Sequence, residues 1–366
     1  MPDLPVNALL GWYQINKRKM PWRDITDPYK IWISEVMLQQ TRVDTVIPYF
    51  NRFMEKYPTV DDLAESDQQS VLKVWEGLGY YSRARNMHQA AKTVSTEMNG
   101  KMPANYDGLI KLKGIGPYTA AAISSIAYSE KKAVVDGNVL RVLCRFFGIP
   151  DDIRSAGTKA QIQGFADDLI PESNPGDFNQ AVMELGATVC KPSNPICDEC
   201  PLLVQCVAYN SAQTEVIPYK SKKAKVPHHQ IAVGLIVNKN NELLISLRQN
   251  NAMLGGLWEF PGGKKEDDES LKETTKRELD EELGVEVSVF DEFMNLKHAY
   301  SHFKITLHAY WCRIEKGKPS PKSSQKLKWV SLEAIDEFPF PKANKTLIKN
   351  LQELKDNNLT QFLSKS

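Results

Sequence analysis

The stretch Leu112–Asn138, LKGIGPYTAAAISSIAYSEKKAVVDGN, decides how the rest of this 366-residue chain is read. It opens on Gly114-Ile115-Gly116, a tight turn whose glycines let a ligand approach the backbone closely. A run rich in Ala, Ile and Ser follows at helical spacing, so the free N–H groups of the helix start face whatever occupies the turn. Phosphate is the expected ligand, although a lone GxG also serves as an ordinary helix–helix connection. The stretch closes on an acid, Asp136, set in Val134-Val135-Asp136-Gly137-Asn138.

Outward from this centre the leading half reads as helices. Apolar residues recur at helical spacing in Ile31–Tyr49, and Glu35 sits inside that pattern, where a carboxylate is expensive unless it has a task or a partner. Gly77-Leu78-Gly79 leads into Tyr80, Tyr81, Arg83 and Arg85, an aromatic and arginine mixture suited to stacking on bases and holding phosphates. No strand alternation precedes residue 225, so this half is predicted to be all-α.

Composition narrows the class. Hydrophobic residues make up 42% and charged residues 25%, as in an ordinary globular protein long enough for two or three domains. No apolar run reaches the roughly 18 residues that span a bilayer, and the start lacks a secretory pattern. A cytoplasmic location without membrane association is expected, nucleoid-associated if the source is bacterial. Net charge is +1, and residues 1–217 carry 22 Lys+Arg against 25 Asp+Glu. Nucleic-acid binding must therefore rest on local basic patches and backbone N–H groups.

Four of the six cysteines, Cys190, Cys197, Cys200 and Cys206, form C-x6-C-x2-C-x5-C. Four thiolates in one short loop match the ligation of a [4Fe–4S] cluster, with a four-cysteine zinc site as the rival. Cys144 and Cys312 are isolated and expected in the core.

The turn LKGIGPYT, the acid of VDGN one helix later and the cysteine spacing together resemble the endonuclease III superfamily of DNA glycosylases. Within it, SEVMLQQTRV, GLGYYSRARN and GPYTAAAI are similar to the adenine DNA glycosylases of the MutY kind. The resemblance covers essentially residues 5–217. It implies a helix-hairpin-helix near 112–122, a [4Fe–4S] loop at 190–206, and duplex DNA carrying an A·8-oxoguanine or A·G mispair as partner of a monomeric enzyme. Bifunctional members carry a Lys two residues after the second hairpin glycine; here Tyr118 stands there, so a monofunctional enzyme is expected.

By the same resemblance, Glu35 protonates the adenine, and Asp136, in a more polar setting, stays ionised and stabilises the positive sugar. Tyr118 and Asn138 position these two acids. Gln40, Thr41 and Tyr80 contact the opened duplex, Gly114 and Gly116 hold a backbone phosphate, and Arg23 and Gln180 touch the extruded base.

Residues 218–230, PYKSKKAKVPHHQ before the alternating pattern begins, read as an interdomain linker. Residues 231–366 alternate as strands around one helix and read as an α/β domain. Within it, Gly263, Glu269, Arg277, Glu278, Leu279, Glu281, Glu282, Gly284 and Val285 fit a complete Nudix box. Glu278, Glu281 and Glu282 share one helix face suited to Mg²⁺. The related glycosylases carry a MutT-like domain here that reads 8-oxoguanine, usually with a degraded box, and Ser301 within His298–Phe303 resembles the residue that checks for it. The intact box keeps a Nudix nucleotide pyrophosphatase as the alternative function.

Overall fold

The structure, a computed structural model, describes residues 2–222, 226–300, 302–354 and 358–363. The chain divides into two compact units, one built from residues up to Glu65 and from Asn86 to the linker, the other from Ser66–Arg85 and the chain beyond the linker. Among the described residues, every strand lies at or beyond His228. None of their helices is long and apolar enough to cross a membrane.

The first unit is helical. Its Pro28–Leu38 helix begins with Asp27 accepting from the Tyr29 N–H at 3.0 Å and with Pro at the first helical position. Tyr29 and every residue from Ile31 to Met37 are buried, so this helix is enclosed on all sides and Glu35 is carried into the interior. The helical pattern read through Ile31–Tyr49 is in fact broken: a second helix starts at Val43, and Gln40 adopts φ +59° between them. The break places Gln40, which is exposed, and Thr41 on a turn.

The hairpin runs from the short Tyr106–Leu109 helix to the Pro117–Tyr128 helix, with Gly116 as N-cap. Gly114 has φ +80°, and a Cβ there would come within 2.6 Å of Asn86 Cβ; both facts require glycine. The Gly137–Phe147 helix follows and ends on Gly148 in the left-handed conformation. Against its first turn packs the Pro175–Thr188 helix, where a Cβ on Gly186 would meet Asn138 Cβ at 2.6 Å. Leu9, Tyr13, Leu143, Phe146, Ile162, Phe178 and Leu185 form the core around these helices, and Cys144 is buried among them.

The second unit is α/β. Its strands are β1 (His228–Ile236), β2 (Leu243–Leu247), β3 (Trp258–Glu259), β4 (Gly262–Lys264), β5 (Glu286–Ala299), β6 (Lys304–Lys316) and β7 (Lys326–Val330). They form a four-stranded sheet ordered β4-β1-β6-β5 and a three-stranded sheet ordered β3-β2-β7. β1 runs parallel to β6 with Ile231 opposite Leu307, and the other pairings are antiparallel. The Leu271–Leu283 helix starts with a Ser270/Glu273 capping box. It packs Leu279 and Leu283 against Ala232, Ile236, Leu244 and Cys312.

A boundary drawn from composition at residue 217 divides the chain differently from its packing. Within the second unit, Gln69 donates to Gly256 O at 2.9 Å and accepts from Trp258 Nε1 at 2.9 Å. Glu76 accepts from the Phe340 N–H at 2.9 Å, and Lys73 donates to Phe338 O at 3.2 Å. Ser66–Arg85 is thereby part of this unit.

Candidate active site

Two carboxylates and a phenol define the site in the first unit. The Tyr118 hydroxyl, at the start of the hairpin's second helix, donates to Glu35 Oε2 at 2.7 Å. Burial pushes the Glu35 carboxyl up to about 7; the Tyr118 bond and the Arg23 charge oppose this, while the Asp136 charge reinforces it. Asp136 caps the Gly137–Phe147 helix, accepting from the Asn138 and Val139 N–H groups at 2.8 and 2.7 Å and from Asn138 Nδ2 at 2.8 Å. The residue is half-buried, and burial raises its carboxyl above the usual Asp range despite those bonds and the nearby Arg141. Burial raises both acids, and the helix-cap donors, Arg141 and greater exposure set Asp136 apart.

Arg23 faces the same interior. It donates to the Tyr13 hydroxyl and, at 3.0 Å, to Glu184 Oε2, and its Nε is buried with no hydrogen-bond partner among the described residues. Gln180 lies one turn before Glu184 on the Pro175–Thr188 helix and is half-buried. Beside Tyr118 opens a cavity of about 650 Å³ bounded also by Pro117, Val135, Lys131 and Lys132, a size ordinary for small-molecule sites.

Three contributors were not singled out in the sequence. Glu184, 2% exposed, is held by both Arg18 and Arg23. Arg141 donates to Asn138 Oδ1 at 2.9 Å, to Gly186 O at 2.6 Å and to Cys190 O at 2.7 Å. It thereby links the cysteine loop to the residue that bonds Asp136. Arg145, one turn further and 2% exposed, donates to Cys190 Sγ at 3.3 Å and to Lys191 O at 2.6 Å. The signal was present: two arginines four residues apart in an otherwise apolar helix, and a lone acid in AVMELGA.

Cys190, Cys197, Cys200 and Cys206 form no disulfide and line one cavity together with Arg145, Val189, Pro195 and Leu203. No three metal-ligating side chains among the described residues are gathered as a single-ion site requires. Four thiols line one apolar space, and a guanidinium lies against one sulfur, a setting that favours an anionic thiolate-held group. The donor set fits the group expected from the spacing.

In the second unit the Nudix glutamates are already engaged. Arg277 holds Glu269 through two bonds of 3.0 and 2.8 Å and also donates to Glu278 at 3.1 Å and Glu281 at 3.2 Å. Glu282 accepts from the Gly262 N–H at 3.0 Å. Glu259 is gripped by Arg248 at 2.7 and 2.6 Å, yet burial carries its carboxyl up to about 7. Nearby in the same unit, a cavity of about 530 Å³ is lined by Leu78, Tyr80, Met253, Tyr300, His302 and Phe303, among others. Ser301 lies outside the described residues.

Comparison with known proteins agrees with this layout. The family described as HhH-GPD superfamily base excision DNA repair protein matches residues 33–166, and the NUDIX domain family matches residues 232–350. The adenine DNA glycosylase of Homo sapiens is 33% identical over 94% of this chain and 73% of its own length. The chain belongs to the adenine DNA glycosylase family. The family member from Buchnera aphidicola (subsp. Baizongia pistaciae) is 35% identical, covering 84% of this chain and 86% of its own. Among solved structures, a thermostable thymine-DNA glycosylase aligns with a TM-score of 0.51 and 29% identity, covering 56% of this chain and 95% of its own. This adenine DNA glycosylase family member is thus a DNA glycosylase, with a helix-hairpin-helix half and a Nudix half.

Proposed function

We propose that the enzyme excises adenine paired with 8-oxoguanine or guanine in duplex DNA, by hydrolysis and without cutting the strand. The observation that carries this reading is the pair of acids with Tyr118 between hairpin and interior: a carboxyl raised to about 7 at Glu35 and a hydrogen-bonded one at Asp136. Near neutral pH Glu35 delivers its proton to N7 of the extruded adenine, which accepts the electrons of the breaking glycosidic bond. Positive charge develops at C1′, and Asp136, whose anion is favoured by three hydrogen bonds and Arg141, stabilises it until water adds. Arg23 and Gln180 hold the base, and the Arg23 Nε without a partner is a donor available to it. Because Tyr118 offers no amine, no imine with the sugar forms at that position.

Gln40, Thr41 and Tyr80 engage the opened duplex, and the hairpin Gly114–Gly116 takes a phosphate. The cavity lined by Tyr80, Tyr300, His302 and Phe303 supports the second unit as the reader of the opposite base, with Ser301, between Tyr300 and His302 in sequence, as the residue that distinguishes the oxidised guanine. The engagement of Glu278 and Glu281 by Arg277 favours this over nucleotide pyrophosphate hydrolysis.

Single-turnover excision on duplexes with A·8-oxoguanine, A·G and A·T pairs tests the proposal. Adenine release fastest opposite 8-oxoguanine, with the strand intact until alkali is added, is the expected result. Spontaneous strand cleavage matching base release would exclude the monofunctional reading.

The four cysteines would hold a [4Fe–4S] cluster, whose part is to order the 190–206 loop and not to enter the hydrolysis. Purified protein is expected to contain iron and acid-labile sulfide, and Cys197→Ser to lose both together with DNA affinity. Stoichiometric zinc without iron would reverse the assignment.

A further inference from the structure

Tyr80 sits on the loop between two helices in an unfavourable backbone state. Its φ is +48°, preceded by Gly77 at +101° and Gly79 at +74°, so of these three left-handed residues the tyrosine alone carries a side chain. A bulky residue keeps such a conformation only where its surroundings over-determine it.

Arg83 supplies much of that surrounding. Its guanidinium lies 5.2 Å from the centre of the Trp75 ring and 5.5 Å from that of Tyr80. One terminal nitrogen donates to Leu78 O at 3.2 Å and to Gly79 O at 3.1 Å, the two carbonyls just ahead of Tyr80. Trp75 Nε1 reaches Gly79 O as well, at 3.1 Å. A planar cation can lie against two rings and serve two carbonyls in this way; a flexible ammonium cannot.

The placement is costly on two counts. Arg83 is the second residue of the Ser82–Glu97 helix, where the helix dipole disfavours a cation. Burial also lowers its pKa to about 10.

We infer that Arg83 is a positioning residue: it fixes the Tyr80 backbone and ring in the cavity lined by Tyr300, His302 and Phe303, and discrimination of the opposite base depends on it. This rests on the reading of Tyr80 as a contact to the opened duplex, so the experiment separates the two. The ratio of single-turnover excision rates on A·8-oxoguanine and A·G duplexes is measured for wild type, Arg83→Met, Arg83→Lys, Tyr80→Ala and the Arg83→Met/Tyr80→Ala double variant, each with its thermal midpoint. Arg83→Met should lower the ratio about fivefold or more, the scale of one aromatic–base contact. Arg83→Lys should not restore it, and the double variant should match Tyr80→Ala alone.

If Tyr80→Ala lowers the ratio but Arg83→Met and Arg83→Lys retain the wild-type value, the inference about Arg83 is overturned and the reading of Tyr80 stands. Additive effects in the double variant also overturn it. An unchanged ratio in Tyr80→Ala removes both. Should Arg83→Met fail to fold, Arg83→Lys carries the same comparison.

Discussion

Glu35→Gln is expected to bind the mispaired duplex much as wild type does while excising adenine some 10²–10⁴-fold more slowly, a span typical for loss of one general acid. The substitution keeps the shape of the side chain and an acceptor for the Tyr118 hydroxyl, so packing of the Pro28–Leu38 helix is preserved. What it removes is the proton. In the wild-type enzyme that proton is held by a carboxyl raised to about 7, so excision should be fast below that pH and fall about tenfold per unit above it. Loss of this alkaline limb in wild type, or near-normal excision by the variant, would displace Glu35 from the role.

The same carboxyl makes a linked prediction about stability. Its folded pKa lies above its unfolded value, so the fold favours the neutral form. That contribution is fully present below about pH 4.5 and is lost as pH rises through about 7. At alkaline pH the buried charge costs the fold on the order of 3 kcal/mol. Glu35→Gln should therefore be the more stable protein at pH 8 in chemical denaturation, with the advantage closing toward pH 4.5. An advantage independent of pH would place the effect in packing.

Asp136→Asn is the second large effect. Asn is as good an N-cap as Asp, and its amide oxygen can take over the Asn138 and Val139 N–H groups. Thermal stability should change by less than about 1 kcal/mol. The negative charge is gone, however, and with it the partner of the developing cation, so single-turnover excision should fall roughly 10²–10³-fold or more. Asp136→Ala should add the loss of the cap, about 1 kcal/mol, to the same catalytic defect. An Asn variant as active as wild type would mean that Asp136 serves only to start a helix.

How far the sequence foretells these features follows from the range over which each is encoded. The hairpin glycines, the cysteine spacing and the Nudix box are local patterns, because a turn, a ligand loop and one helix face each demand fixed residues within a short stretch. The α and α/β halves are likewise legible from apolar periodicity. The interior position of Glu35 is not, because spacing alone also allows a solvent-facing carboxylate; the family resemblance is what marks it. Partners distant in the chain are not legible either. Arg18 and Arg23 reach Glu184 across 166 and 161 residues, and nothing near either arginine announces the acid. Nor can local pattern reveal that Ser66–Arg85 packs with strands that follow it by more than 140 positions.

That last arrangement bears on how the protein is made. Ser66–Arg85 leaves the ribosome well before Trp258 and Phe340, which supply its hydrogen-bond partners. At ordinary elongation rates the delay is on the order of ten seconds or longer. Throughout that interval the loop carrying Tyr80 lacks those partners, so this part of the second unit cannot finish in the usual order from N to C. Release of the completed C-terminus, and not synthesis of the helical half, sets the moment at which this loop reaches its final form.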